Sequence, residues 1–129
     1  MNENEIYQKL ANACYGDNLE DTKEILSQNS NLDLNKIVYA DIGKRGNGTP
    51  LVLTGSKEIG ELLINNGAKI NHICILSEYN KITALDSALE ELTKLKTKDD
   101  DIFLNMIQEY VEYLKLNSAK TYLELKGKQ

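Results

Sequence analysis

GTPLVLTGSKEIGELLINNGAKIN, Gly48 to Asn71, is the stretch whose reading decides the fold. Thr49 has the side chain of a helix N-cap, able to accept from the first free backbone N–H groups. Pro50 follows at the first helical position, where its missing N–H and fixed φ do no harm. Ser56 reads as a second cap, and Ile59, Leu62 and Leu63 fall on one face of the helix it opens. Gly67 is placed to take the left-handed conformation that ends that helix. The stretch therefore predicts a turn, a helix, a tight reversal, a second helix and a stop. Such a unit has an apolar side it cannot cover alone, so units of similar shape are expected before and after it.

The chain on either side supplies them. Ile6, Leu10, Ala13 and Cys14 recur at helical spacing from Glu3 to about Tyr15. Gly16-Asp17-Asn18 then offers a reversal, with Asp17 or Asn18 as the cap of a helix carrying Leu19, Thr22, Ile25 and Leu26. A connection from Lys36 to Asn47 contains the β-formers Ile37, Val38 and Tyr39 together with glycines, and reads as a projection resembling a β-hairpin. A second connection runs from Asn71 to Lys81. Thr83 repeats the role of Thr49, with Asp86 three residues on in capping-box spacing. Leu85, Ala88, Leu89, Leu92 and Leu95 extend that helix to about Lys96. Asp99, Asp100 and Asp101 suit a helix N-terminus through capping and the macrodipole, and they lack the alternation, glycine and terminal glutamate of a calcium loop. From Ile102 to about Leu116 a wide apolar face includes Ile102, Phe103, Met106, Ile107, Tyr110, Val111 and Leu114. Thr121 and Glu124 form a last capping box.

At 129 residues, 41% hydrophobic and 27% charged, the chain has the size and balance of one globular domain, residues 1–129. The formal charge of −5 argues against nucleic-acid binding, which needs Lys and Arg against phosphates, and permits a basic partner. No apolar run is long enough to span a bilayer, and the first ten residues lack the pattern of a signal peptide. A cytoplasmic setting is expected, and the abundance of Asn, Lys, Ile and Glu fits an AT-rich, bacterial source.

Gly48, Thr49, Pro50 and Leu51, then Glu58, Ile59, Leu62 and Leu63, then Asn66, Gly67, Ala68, Ile70 and Asn71 resemble the ankyrin repeat. Thr83, Ala84, Leu85, Asp86 and Ala88, then Val111, Leu114, Ala119 and Lys120 resemble it a second time, and Ala13, Gly16, Asp17, Glu20, Ile25, Leu26 and Asn35 do so more loosely. Val52 and Asp86 stand where that family has a histidine. The resemblance implies an all-α fold, a short ankyrin-like helical-hairpin solenoid with long finger loops. Its repeats would cover roughly residues 3–35, 36–71 and 72–120, with a cap over 121–129.

No catalytic constellation emerges. His72 is the sole histidine, so two-histidine metal motifs are excluded. Cys74 lies two residues on, but its apolar neighbours would raise its pKa, which argues against a Cys/His dyad. Gly43 to Gly48 lacks the Lys-Ser/Thr ending of a phosphate loop. Glu58, Glu61, Asp86, Glu90 and Glu91 read as solvated helix carboxylates. No cofactor and no metal site is expected, and the protein is not expected to be an enzyme. The resemblance implies a protein–protein interaction module gripping a partner through finger loops and a concave face. The contact residues would be Tyr39, Asp41, Lys44, Arg45 and Asn47, then His72, Glu78 and Tyr79, then Asp86 and Glu90. A bacterial immunity or antitoxin-like inhibitor of a basic toxin, acting as a monomer, is the specific expectation, and a self-associating structural subunit is the alternative.

Overall fold

The computed structural model describes residues 2–42, 46–96 and 101–127. Helix α1 (Glu3–Tyr15) is capped by Asn2, whose side chain accepts from the Glu5 N–H. Asp17 takes a left-handed φ of 53° at the reversal, a conformation that aspartate tolerates better than most residues. Asn18 caps α2 (Leu19–Gln28) through the Asp21 N–H. Strands β1 (Val38–Ala40) and β2 (Gly46–Gly48) pair antiparallel, Val38 with Gly48, Tyr39 with Asn47 and Ala40 with Gly46. Helix α3 (Pro50–Leu53) is a single turn, and α4 (Lys57–Asn65) follows from the Ser56 cap. Strands β3 (Cys74–Ser77) and β4 (Asn80–Ile82) form a second hairpin with a bulge between Ile75 and Ser77. Helices α5 (Ala84–Lys96), α6 (Asp101–Leu116) and α7 (Tyr122–Lys126) complete the chain.

The all-α, ankyrin-like solenoid is not what forms. The described residues form a mixed α/β fold, 59% helix and 11% strand, and their two antiparallel hairpins are inconsistent with a purely helical repeat array. The segments expected as finger loops contain those hairpins. Val38 and Ala40 are buried while Tyr39 faces out, so the first hairpin shields Tyr7 and Ala11 of α1 in a small apolar cluster of its own. The β-formers of residues 37–39 predicted that hairpin locally. The second, on Cys74 to Ile82, was not expected, because its apolar run lacks clean alternation.

The main core joins Leu10, Cys14, Leu26, Ile59, Leu63, Ile107, Tyr110 and Leu114. Tyr110 is its largest fully buried side chain. Gly60 lets α4 approach it, since a Cβ there would lie 2.6 Å from the Tyr110 ring. Two further readings need correction. Ile102 and Phe103 are 80% and 52% exposed, because the buried stripe of α6 begins only at Ile107. Thr49 precedes α3 but its side chain makes no capping bond. The boxes at Thr83–Asp86 and Thr121–Glu124 form as predicted. Asp99 and Asp100 lie outside the described residues.

Asparagine side chains tie successive layers. Asn35 accepts from the Lys69 N–H at 2.9 Å and donates to the Gly67 carbonyl at 3.4 Å. Asn71 does the same one layer on, accepting from the Lys120 N–H at 2.7 Å and donating to the Ser118 carbonyl at 3.1 Å. Among the described residues no helix is long and apolar enough to cross a membrane.

Candidate binding groove

A helix of one turn cannot satisfy its own last carbonyls, and the end of α3 shows where they go. The Pro50 carbonyl takes the Thr54 N–H. The Leu51 carbonyl accepts from the Tyr110 hydroxyl at 2.7 Å, and the Val52 carbonyl from Ser87 Oγ at 3.1 Å. Beyond the helix, Thr54 Oγ1 and the Gly55 N–H donate to one oxygen, Asp17 Oδ1, at 2.8 and 2.9 Å. Three side chains from three elements therefore hold a turn that could not hold itself.

The same abbreviation leaves a groove of about 700 Å³. Tyr15 and Asp17, Asn47, Thr54 and Gly55, and Glu90, Glu91 and Lys94 of α5 line it. Phe103, Met106 and Ile107 of α6 give it an apolar end. Asp17 is the half-buried carboxylate at its base. Burial raises its pKa above the ordinary 3.8, the bonds from Gly55 and Thr54 lower it, and the nearby negative charge of Glu91 raises it further. Oδ1 holds both of its hydrogen bonds. Among the described residues no side-chain oxygen cut off from solvent lacks a partner, so the unbonded Oδ2 reaches solvent. Lys94 is engaged at 3.3 Å by Glu90 on the exposed rim.

Of the residues expected to meet a partner, the groove brings together only Asn47 and Glu90. Tyr39 is exposed on β1, beside a separate depression. Asp41 is engaged with Asn12, its Oδ1 accepting from Nδ2 and its N–H donating to Oδ1, both at 2.9 Å. Lys44 and Arg45 lie outside the described residues. His72 is half-buried in the turn after α4, while Glu78 and Tyr79 sit exposed at the tip of the second hairpin. Asp86 is structural: one of its oxygens accepts from the Thr83 N–H and, at 2.8 Å, from the Tyr122 N–H. These positions do not converge, and no finger-loop and concave-face architecture of the ankyrin kind is present. The interaction mode expected from the resemblance therefore does not form, and the immunity-protein expectation, which came from size and charge, has no such surface to act through.

The residue missed was Asp17. The sequence marked it as a cap candidate, and only the long-range approach of Thr54, Gly55 and Glu91 gives it another character. Burial pushes the Cys14 thiol up to about 12, and burial likewise raises Cys74, against a lowering bond to the Thr49 backbone. The low reactivity expected of Cys74 from its neighbours agrees with this. A second depression of about 530 Å³ between α1 and α2 includes Ile6, Ala13, Ile25 and Ile42; the polar groups Asn18 and Asp21 in its wall satisfy each other. Comparison of the chain with protein families, with curated proteins and with solved structures gave no match.

Proposed function

We propose that this chain is a non-catalytic recognition protein that takes a basic segment of a protein partner into the groove based on Asp17. The observation that carries this reading is the placing of that carboxylate, whose Oδ1 accepts both of its hydrogen bonds while Oδ2 is left open in the groove. The carboxylate's surroundings disfavour ionisation, yet the two bonds it accepts would be made as well by the neutral oxygen of an asparagine. A cation entering the groove would meet the open Oδ2 and relieve the repulsion from Glu91. Glu90 and Glu91 on the wall, and the formal charge of −5 on the chain, favour basic partners and disfavour phosphate backbones. Phe103, 52% exposed, adds apolar surface at the groove end. The two cysteines are free, which suits a reducing, cytoplasmic setting, and the protein acts as a monomer.

The test is titration of the labelled protein with a lysine- and arginine-rich peptide and with an acidic peptide of the same length, followed by amide chemical shifts. The basic peptide should move the Thr54 and Gly55 amides, weaken with salt, and lose affinity in Asp17→Asn and Glu91→Gln. Equal binding of the acidic peptide, or undiminished binding by both variants, refutes the proposal.

A further inference from the structure

The two oxygens of Asp17 are not equivalent, and the difference bears on which cation the groove selects. Resting on the reading of the groove as a cation site, we infer that it selects a lysine ammonium over an arginine guanidinium, because a single carboxylate oxygen is left to receive it. Oδ1 already accepts two donors, Thr54 Oγ1 at 2.8 Å and the Gly55 N–H at 2.9 Å, and these fill the sites one carboxylate oxygen offers. Among the described residues Oδ2 has no hydrogen-bond partner, and it stays in contact with solvent.

Guanidinium owes its advantage on carboxylates to a planar fork that sets two N–H groups against two oxygens. On Asp17 half of that fork would face a saturated oxygen. An ammonium has no such requirement. It is a compact charge with three donors, able to place one on Oδ2 and turn another toward Glu91, whose charge already acts on Asp17.

Met106 and Ile107 lie close to the carboxylate: a Cβ on Gly55 would come 3.8 Å from Asp17 Oδ2, 3.2 Å from Ile107 Cδ1 and 3.7 Å from Met106 Cε. The methylenes of a lysine can run over this apolar part of the groove lining while the charge reaches Oδ2, which is how such side chains cover apolar surface.

The discriminating experiment needs only the wild-type protein. An N-acetylated, C-amidated peptide alternating glycine and lysine is titrated against its arginine and acetyl-lysine counterparts, with the Gly55 amide as reporter because it bonds to Asp17 directly. The lysine peptide is expected to bind about fivefold more tightly than the arginine peptide, with the Gly55 shift absent for acetyl-lysine. Arginine binding as tightly or more tightly, with Gly55 still moved, overturns the choice of lysine and leaves the cation site standing. Failure of both basic peptides to move Gly55, or equal binding of acetyl-lysine, overturns both.

Discussion

Removing the hydroxyl of Tyr110 is the most direct way to probe the junction on which the groove is built. Tyr110→Phe keeps the ring, which is fully buried, and deletes the donor that satisfies the Leu51 carbonyl at 2.7 Å. That carbonyl belongs to a helix of one turn and has no amide four residues on to turn to, because the Gly55 N–H is committed to Asp17. A buried acceptor left without its donor costs about 1–3 kcal/mol, a sizeable share of the roughly 5–15 kcal/mol that stabilises a domain. With a urea m-value of about 2 kcal/mol/M for a chain of this size, the midpoint should fall by about 0.5–1.5 M with m unchanged. Tyr113→Phe is the control, since Tyr113 is half-buried on the same helix and its hydroxyl bonds to none of the described residues; its midpoint should move by less than about 0.25 M, the shift from about 0.5 kcal/mol. Hydrogen exchange gives a local readout. The Thr54 amide, bonded to the Pro50 carbonyl, should exchange faster in Tyr110→Phe before any distant amide does. A midpoint equal to that of Tyr113→Phe, or unchanged exchange at Thr54, would refute the account of how α3 is held.

Gly60→Ala puts a Cβ 2.6 Å from the Tyr110 ring and should cost about 1–3 kcal/mol by denaturation; combined with Tyr110→Phe the losses should be less than additive, because the untethered ring can move aside. Asn71→Ala breaks both bonds to the turn after α6 and should cost about 1–2 kcal/mol in urea unfolding, with faster exchange at the Lys120 amide. Asp17→Asn should make stability less dependent on pH. Burial raises the carboxyl in the folded state, so its favourable contribution is complete below the ordinary value of 3.8 and is lost as pH rises through the folded pKa. The variant should therefore gain on wild type as pH rises toward neutrality, and a gain that shrinks over that range contradicts the sign.

Much of the helical framework is legible because its signals are local. Ser56, Thr83 with Asp86, and Thr121 with Glu124 announce helix starts within three residues of themselves, and the stripe from Leu85 to Leu95 fixes α5 by its period. The hairpins are harder to read. Ile37, Val38 and Tyr39 mark the first strand of one hairpin, but its partner strand, Gly46-Asn47-Gly48, has no β-former at all, and the run from Ile73 to Leu76 lacks the alternation that would mark the second. The paired strands are instead favoured by what they cover, Tyr7 and Ala11 on one side and the Tyr15 ring under Gly46. Ile102 and Phe103 mislead for a related reason. Periodicity identifies the apolar face of α6 but not the point along it where packing against α4 and α5 begins. The groove is illegible in principle from spacing, because Asp17 meets Thr54 and Gly55 across 37 and 38 residues.

The shortness of α3 links stability and recognition. Had Thr54 and Gly55 continued the helix, the Gly55 amide would turn inward to the Leu51 carbonyl, and neither Tyr110 nor Asp17 would be needed there. Ending the helix at Leu53 turns both groups outward onto Asp17 and opens the space between α5 and the first hairpin. Tyr110 and Ser87 then satisfy the carbonyls left behind, without introducing charge. Asp17 does introduce charge, in a place where burial and Glu91 both oppose it. An asparagine would cap the same donors and adopt the same left-handed φ with less conflict. A residue that satisfies every local bond yet carries an unfavourable charge is better explained by something outside the fold than by the fold itself. For that reason Asp17→Asn should separate the two roles, leaving the junction folded and at least as stable near neutrality while removing the affinity for a basic peptide. If stability and affinity fall together, the carboxylate is there to hold α3, and the groove loses its claim to be a site.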